Sequence, residues 1–182
     1  MHAGDTANHG WPTLVAELDP MENLIVWSYR SWAMAIQGGG QQRWRLLRYE
    51  YRRQFGAVSG EPALDRFSVL MRQVAGHARA PLKHHAPCCP CLGEQEVAMM
   101  SLVAACQARQ WSLARRIAGC LVSVDGVGAV IAAASGVADI MKRHLPALPL
   151  RLATDTDDLL EPSQPGGPVP TGAMALSDVT IH

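Results

Sequence analysis

The stretch DPMENLIVWSYRSWAMAIQGGG, residues 19–40, decides the fold class of this chain. Asp19 can accept hydrogen bonds as a helix N-cap, and Pro20 suits the first helical position. Glu22 stands three residues after the cap, where its side chain can return a hydrogen bond. Apolar residues then recur around the helix until the three glycines stop it. The pattern predicts a helix that runs to about residue 37 and is buried on most of its surface.

Five further helical patterns follow, and none of the chain shows the clear alternation of a β-strand. Gly, Pro and apolar spacings of three and four place these helices at residues 41–55, 62–77, 94–109, 112–122 and 125–145. Hydrophobic residues make up 48% of the chain, which is enough for a core. The sequence therefore predicts an all-α fold: an irregular bundle of about six helices, with a Pro/Cys-rich turn between helices three and four.

The two ends of the chain differ from its middle in composition. Residues 1–18 carry little pattern, and we expect them to be a flexible N-terminus ahead of a helical domain at residues 19–150. Residues 151–182 have few large apolar side chains and contain five acidic residues against one arginine. We expect this C-terminal segment to be a disordered acidic tail.

The charge balance limits the classes of partner. With 16 basic and 16 acidic residues, the chain lacks the globally basic footprint of a nucleic-acid-binding protein, although a local basic patch stays open. No secretory signal pattern is present at the N-terminus. The most apolar stretch, residues 117–141, is interrupted by Asp125 and Asp139, which leaves an uncharged run too short to span a membrane. We expect a cytoplasmic protein with no membrane span.

The chemically richest segment is HHAPCCPC, residues 84–91, which holds two histidines and three cysteines. Thiolate sulfur and imidazole nitrogen are the ligands that zinc prefers. The chain has no second Cys-x-x-Cys block, so a zinc site would be mostly local and would staple the turn between two helices. Its candidate ligands are His84, His85, Cys88, Cys89 and Cys91, with His77 as the outside ligand.

The same cysteines also fit a thiol redox site. Cys88 and Cys91 have the Cys-x-x-Cys spacing and lie just before a helix N-terminus, where the dipole favours a thiolate. Either Cys88 or Cys89 would then pair reversibly with Cys91. Two features oppose this interpretation: Glu94 and Glu96 add negative charge at the same helix end, and no βαβ pattern surrounds the motif.

A purely structural interpretation needs neither metal nor oxidant. Pro87, Pro90 and Gly93 would shape a rigid turn, with the three cysteines packed as small apolar groups and the histidines exposed. Cys106 and Cys120 lie too far along the following helices to join the segment, and we expect both to be buried as small apolar groups.

The second helix carries five arginines among aromatic residues within residues 43–53. Such a mixture can bind single-stranded nucleic acid through phosphate contacts and stacking. The candidate contacts are Arg45, Arg52 and Arg53. Because Trp44 and Tyr51 coincide with the apolar face of the helix, however, we expect these rings in the core and the arginines on a solvated face.

The run RAPL at residues 79–82, followed by HAPCCPCLG at residues 85–93 and by Glu96, resembles a stretch of an uncharacterised family of small helical bacterial proteins. The resemblance spans roughly residues 20–145 and is specific in that one stretch. It implies no activity, because that family has none attached.

The sequence leads to three expectations about function, in order of preference. The first is a non-enzymatic, cytoplasmic helical protein that binds another protein and uses the His/Cys turn as a zinc staple or a rigid elbow. The second is a thiol redox or redox-sensing protein. The third is nucleic-acid binding through the second helix.

Overall fold

The computed structural model describes residues 12–150, which form helices joined by short connections. The α-helices in chain order are α1 Pro20–Met34, α2 Gly40–His77, α3 Glu94–Gln107, α4 Trp111–Leu121 and α5 Val127–His144. Short 3-10 turns at Val15–Glu17 and Val124–Gly126 precede α1 and α5, and a π-helical turn at Ala35–Gly39 links α1 to α2. The described residues contain no β-strand, so the all-α prediction is confirmed.

Helix α1 begins as its sequence predicts and is buried on most of its surface. The Asp19 carboxylate accepts hydrogen bonds from the backbone N–H groups of Met21 and Glu22, both at 2.8 Å. The Glu22 carboxylate accepts the Asp19 N–H at 2.9 Å, which completes the capping box. Eleven of the 15 residues of α1 are buried, because the helix packs against both α2 and α3.

Helix α2 covers the two helices predicted at residues 41–55 and 62–77, so the described residues contain five α-helices where about six were expected. Two helical segments meet within α2 at a kink, because the backbone of Gly56 is non-helical, with φ 81° and ψ 169°, a conformation that favours glycine. Pro62 lies in the second of these segments. At the bend, a Cβ on Gly60 would lie 2.7 Å from the Cα of Arg52, so the chain comes into close contact with itself there.

The last three helices complete the bundle, and their observed ends lie within two residues of the predicted ones. The short link at residues 108–110 folds α4 back along α3. Helix α5 packs against α2, α3 and α4. The segment Val124–His144 is long and apolar enough to cross a membrane by length and composition alone. Its residues Val130 and Ala134 are fully buried in the bundle.

The residues before α1 are held in place by the loop between α2 and α3. The Val15 N–H donates to the Pro90 carbonyl at 2.7 Å, and the Leu92 N–H donates to the Thr13 carbonyl at 2.8 Å. These contacts with a distant part of the sequence leave no local pattern, and the flexibility expected of residues 1–18 stays a prediction. Residues 1–11 and the predicted acidic tail, residues 151–182, lie outside the described residues.

Candidate functional site

The chain between α2 and α3 is irregular, and its second part, residues 84–93, is called here the cysteine loop. One tight turn shapes it: the Cys89 N–H donates to the Ala86 carbonyl at 2.9 Å. Pro87 and Pro90 flank the Cys88–Cys89 pair, and neither proline can donate a backbone hydrogen bond. A loop with so few internal hydrogen bonds needs partners from elsewhere in the fold.

Those partners come from a buried ion pair between α1 and α3. The Arg30 Nε atom donates to Glu96 Oε1 at 2.9 Å, and one terminal nitrogen donates to Glu96 Oε2 at 2.6 Å. The two side chains are only 1% and 0% exposed. This bidentate geometry is the strong form of a charge-assisted hydrogen bond. Such a pair, removed from water, stabilises a fold only if its remaining hydrogen-bonding groups are also satisfied.

Arg30 uses its remaining donors on the cysteine loop. Its two terminal nitrogens donate to the backbone carbonyls of Ala86 at 3.3 Å, Cys89 at 2.8 Å and Cys91 at 2.6 Å. One guanidinium therefore holds three carbonyls of an irregular loop at once. The planar fork of arginine donors suits this task, which a lysine ammonium does not fulfil in the same geometry.

Glu96 performs the matching role for the N–H groups of the loop. Its oxygens accept the backbone N–H groups of His85 at 2.8 Å and Gly93 at 3.0 Å, and they lie 3.3 Å from the His85 Nδ1 atom. Burial by itself raises the pKa of the Glu96 carboxyl. The hydrogen bonds from Arg30, His85 and Gly93 outweigh burial, so that the pKa is lowered and the group stays ionised.

Tyr29 and Gln95 extend the anchoring to the start of the loop. The Tyr29 hydroxyl donates to the Lys83 carbonyl at 3.0 Å, and the Gln95 side-chain oxygen accepts the Lys83 N–H at 2.7 Å. Burial, aided by the negative charge of Glu96, raises the pKa of the Tyr29 phenol. The phenol therefore stays protonated and able to donate. Neighbouring residues of α1 and of α3 thus hold the loop together.

Two of the three cysteines of the loop face solvent. Cys88 and Cys91 are exposed, Cys89 is half-buried, and all three are free thiols. The expectation that they pack as small apolar groups is therefore wrong for Cys88 and Cys91. Arg30 holds the loop through its backbone carbonyls and not through the cysteine side chains.

The predicted zinc ligands are not assembled. Within residues 12–150, no group of three or more His, Cys, Asp or Glu side chains is arranged to hold a metal ion. His77, the predicted outside ligand, instead faces Asp125, with 3.8 Å between its Nδ1 atom and the carboxylate. The Nε2 atom of His84 lies 3.1 Å from the side-chain oxygen of Gln37. These contacts involve residues outside the predicted ligand set.

His85 is the most constrained histidine of the loop. A Cβ at Gly93 would lie 3.2 Å from the His85 Cε1 atom, so the imidazole packs directly over the glycine backbone. The same ring has its Nδ1 atom next to Glu96, while 40% of the side chain remains exposed. The expectation of exposed histidines thus holds only in part for His85.

The two remaining cysteines differ from each other. Cys106 is buried in α3, as expected, and burial raises the pKa of its thiol. Cys120 is exposed on α4, so the expectation of a buried Cys120 is wrong. Its position on that helix places it on the solvent side, whereas Ile117 and Leu121 face the core.

In the first half of α2, the rings of Trp44 and Tyr51 lie towards the core and the arginines lie in solvent, as expected, and Tyr49 is exposed as well. Tyr51 is buried and Trp44 is half-buried against the core. The predicted nucleic-acid contacts Arg45, Arg52 and Arg53 are exposed. Tyr49, one of the aromatic residues among these arginines, is 68% exposed between them.

Sequence reasoning also missed Arg30 as a site residue and considered Glu96 only as an opposing charge. One signal was present: Arg30 is the only charged residue between Glu22 and Arg43. A single charge in the middle of a helix predicted to be mostly buried implies a buried partner.

Comparison with protein-family models, with curated proteins and with solved structures finds no match for this chain.

Proposed function

We propose that this protein is a non-enzymatic binding module that presents the cysteine loop, residues 84–93, to another protein in the cytoplasm. One observation carries the proposal: a single buried guanidinium, that of Arg30, holds the carbonyls of Ala86, Cys89 and Cys91. The backbone of the loop is thereby fixed from inside. The exposed side chains of Cys88 and Cys91 are free for an outside contact.

The energetics of binding favour such an arrangement. A flexible loop loses conformational freedom when it binds, and each ordered residue costs about 1–2 kcal/mol. A loop that is already held in one conformation avoids most of this cost. The rigid scaffold of α1 and α3 below an exposed irregular loop is also the usual arrangement of a binding surface. The free thiols agree with a reducing compartment such as the cytoplasm.

We favour the rigid-elbow form of the proposal over the zinc staple. The Arg30–Glu96 pair already joins α1, α3 and the loop, which is the role that a zinc ion would have had. Elemental analysis of protein purified without added metal tests this choice. We expect far less than one zinc per chain. A stoichiometric zinc ion that is lost when His85 or Cys91 is replaced would favour the staple.

The exposure of Cys88 and Cys91 supports a second candidate, reversible thiol chemistry. In that reaction a peroxide oxidises two thiols to a disulfide and is itself reduced to two waters or to water and an alcohol. Mass spectrometry after peroxide treatment and again after a dithiol reductant tests it. Loss of two hydrogens within the loop peptide, reversed by the reductant, supports the candidate. Overoxidised or unchanged thiols contradict it.

A photo-crosslinker placed on the loop tests the main proposal. The variant C88S/C89S/C120S leaves Cys91 as the exposed thiol, and C88S/C89S/C91S leaves Cys120 on α4 as a matched control. Each variant is labelled with a benzophenone maleimide, incubated with cell extract and irradiated. We expect a defined adduct from Cys91 that unlabelled wild-type protein competes away and that Cys120 does not form. Identical adducts from the two probes would contradict the proposal.

A further inference from the structure

The first half of α2 exposes an aromatic ring among arginine side chains. Tyr49 is 68% exposed, the most exposed aromatic side chain in the described part of the chain. Arg45 precedes it by four positions, and Arg52 and Arg53 follow by three and four. Residues at these spacings share one face of a helix. We call this set, Arg45, Tyr49, Arg52 and Arg53, the arginine–tyrosine face.

The charge of this face is only partly neutralised. Arg53 pairs with Glu50 at 2.6 Å, while Arg52 lies 3.1 Å from Glu61. Both arginine side chains are 59% exposed, and ion pairs this exposed contribute little to stability, so they can yield to another anion. Arg45 has no carboxylate partner among the described residues. The face therefore presents an excess of positive charge, although the whole chain has none.

A groove borders the arginine–tyrosine face where α1 meets α2. It has a volume of about 370 Å³, and its lining includes Trp27, Asn23, Gln54 and the Glu50 carboxylate, which accepts a hydrogen bond from the Gln54 side chain at 2.7 Å. Arg53, which pairs with Glu50, belongs to both the face and the groove, so the two are continuous. The Asn23 amide can donate and accept hydrogen bonds towards the edge of a nucleobase, and Trp27 supplies an apolar surface.

We propose that the arginine–tyrosine face and this groove bind single-stranded nucleic acid. Tyr49 stacks on one base, the groove holds a neighbouring base, and Arg45 and Arg53 contact phosphates between them. Proteins commonly bind an unpaired strand in this way, with bases stacked on aromatic side chains and phosphates in contact with cationic ones. A stretch of Asp and Glu would use the arginines but has no aromatic ring to stack on Tyr49, which is why we favour the nucleic acid.

Fluorescence anisotropy with labelled 12-nucleotide oligo-U and oligo-dT tests the proposal and distinguishes RNA from DNA. A duplex of the same length and an oligo-glutamate peptide serve as competing ligands. We expect a single strand to bind more tightly than either, with a slope of log affinity against log salt of about −1.4, since the phosphate contacts of Arg45 and Arg53 release about 0.7 counterion each. Y49A weakens binding roughly five-fold or more, whereas Y49F, which keeps the ring, does not.

A matched pair of double variants separates this face from general charge effects. R45A/R53A lowers both affinity and salt slope, whereas R72A/R115A removes the same charge from exposed positions elsewhere and leaves both nearly unchanged. Circular dichroism confirms that each variant keeps its helices. Equal losses in the two double variants, an unaffected Y49A, or tighter binding of oligo-glutamate would each overturn the proposal. None of these variants touches the cysteine loop.

Discussion

The Arg30 guanidinium and the Glu96 carboxylate, 66 positions apart in the sequence, form a fully buried bidentate ion pair that also satisfies the backbone of the cysteine loop. Arg30 donates hydrogen bonds to three carbonyls of the loop, and Glu96 accepts hydrogen bonds from two of its N–H groups. The pair is therefore the common anchor of α1, α3 and the segment between α2 and α3.

Replacement of Arg30 by Met tests this anchor. R30M leaves the Glu96 charge buried without a partner and three carbonyls without donors, so we expect the free energy of unfolding to fall by about 3–5 kcal/mol. Chemical denaturation followed by circular dichroism measures the change. R53M, which breaks an exposed pair with Glu50, is the matched control and should cost under about 1 kcal/mol. Equal losses in the two variants would contradict the anchoring role.

The ionisation of Glu96 makes this stabilisation depend on pH. Because the pKa of Glu96 is lower in the folded chain than in the unfolded chain, the unfolded state binds the proton more readily. The stabilisation is complete above the ordinary carboxyl pKa of about 4.3 and is lost as the pH falls through the lower folded value.

The variant E96Q isolates this effect, since glutamine does not titrate. We expect the difference in unfolding free energy between wild type and E96Q to be constant from about pH 5 to 6 and to shrink below about pH 4. Urea denaturation across this range measures it. Other carboxyls, such as Glu50, titrate in both proteins and cancel in the difference. A difference that grows in acid would show that the pKa of Glu96 is raised.

Two glycines in helices should respond oppositely to alanine. A Cβ on Gly60 would lie 2.7 Å from the Cα of Arg52, and backbone atoms cannot move aside cheaply. We expect G60A to destabilise the fold by about 1–3 kcal/mol through overpacking at the α2 bend. Gly119 in α4 has no atom within 4 Å of an added Cβ, so G119A should stabilise by about 0.5–1 kcal/mol. Thermal unfolding distinguishes the two, and a shift of the same sign in both would contradict this account.

Local sequence signals predicted the helices well. The Asp19 cap, the proline after it and the Glu22 return bond all act within four residues, and each one forms as expected. The end of a helix predicted at Gly56 agrees with the non-helical backbone there, where two helical segments meet at a kink. The sharpness of this bend was not predicted: Gly56 turns the chain within a single residue, and Gly60 comes into close contact with Arg52. That contact joins two helical segments and depends on tertiary packing.

The contacts that anchor the cysteine loop were harder to predict from the sequence than the helices. The contacts of residues 12–18 with Pro90 and Leu92, like the ion pair of Arg30, join segments far apart in the sequence. The histidine and cysteine side chains of the cysteine loop led to the prediction of a metal site. The contacts that anchor the loop, however, are made by its backbone. The exposure of Tyr49, two residues from the buried Leu47 and Tyr51 on the same helix, likewise depends on how α2 meets the bundle.

The reactivity of the cysteines tests the orientation of the loop. In the folded protein, we expect iodoacetamide to modify Cys88, Cys91 and Cys120 readily, because they are exposed, and Cys106 to resist. Burial blocks access to Cys106 and raises the pKa of its thiol, which lowers the fraction of reactive thiolate. Peptide mass spectrometry at successive times gives each rate, and labelling in denaturant provides the reference for full access. Protection of Cys88 and Cys91 to the level of Cys106 would mean that the loop buries its thiols, and the proposed binding surface would then be lost.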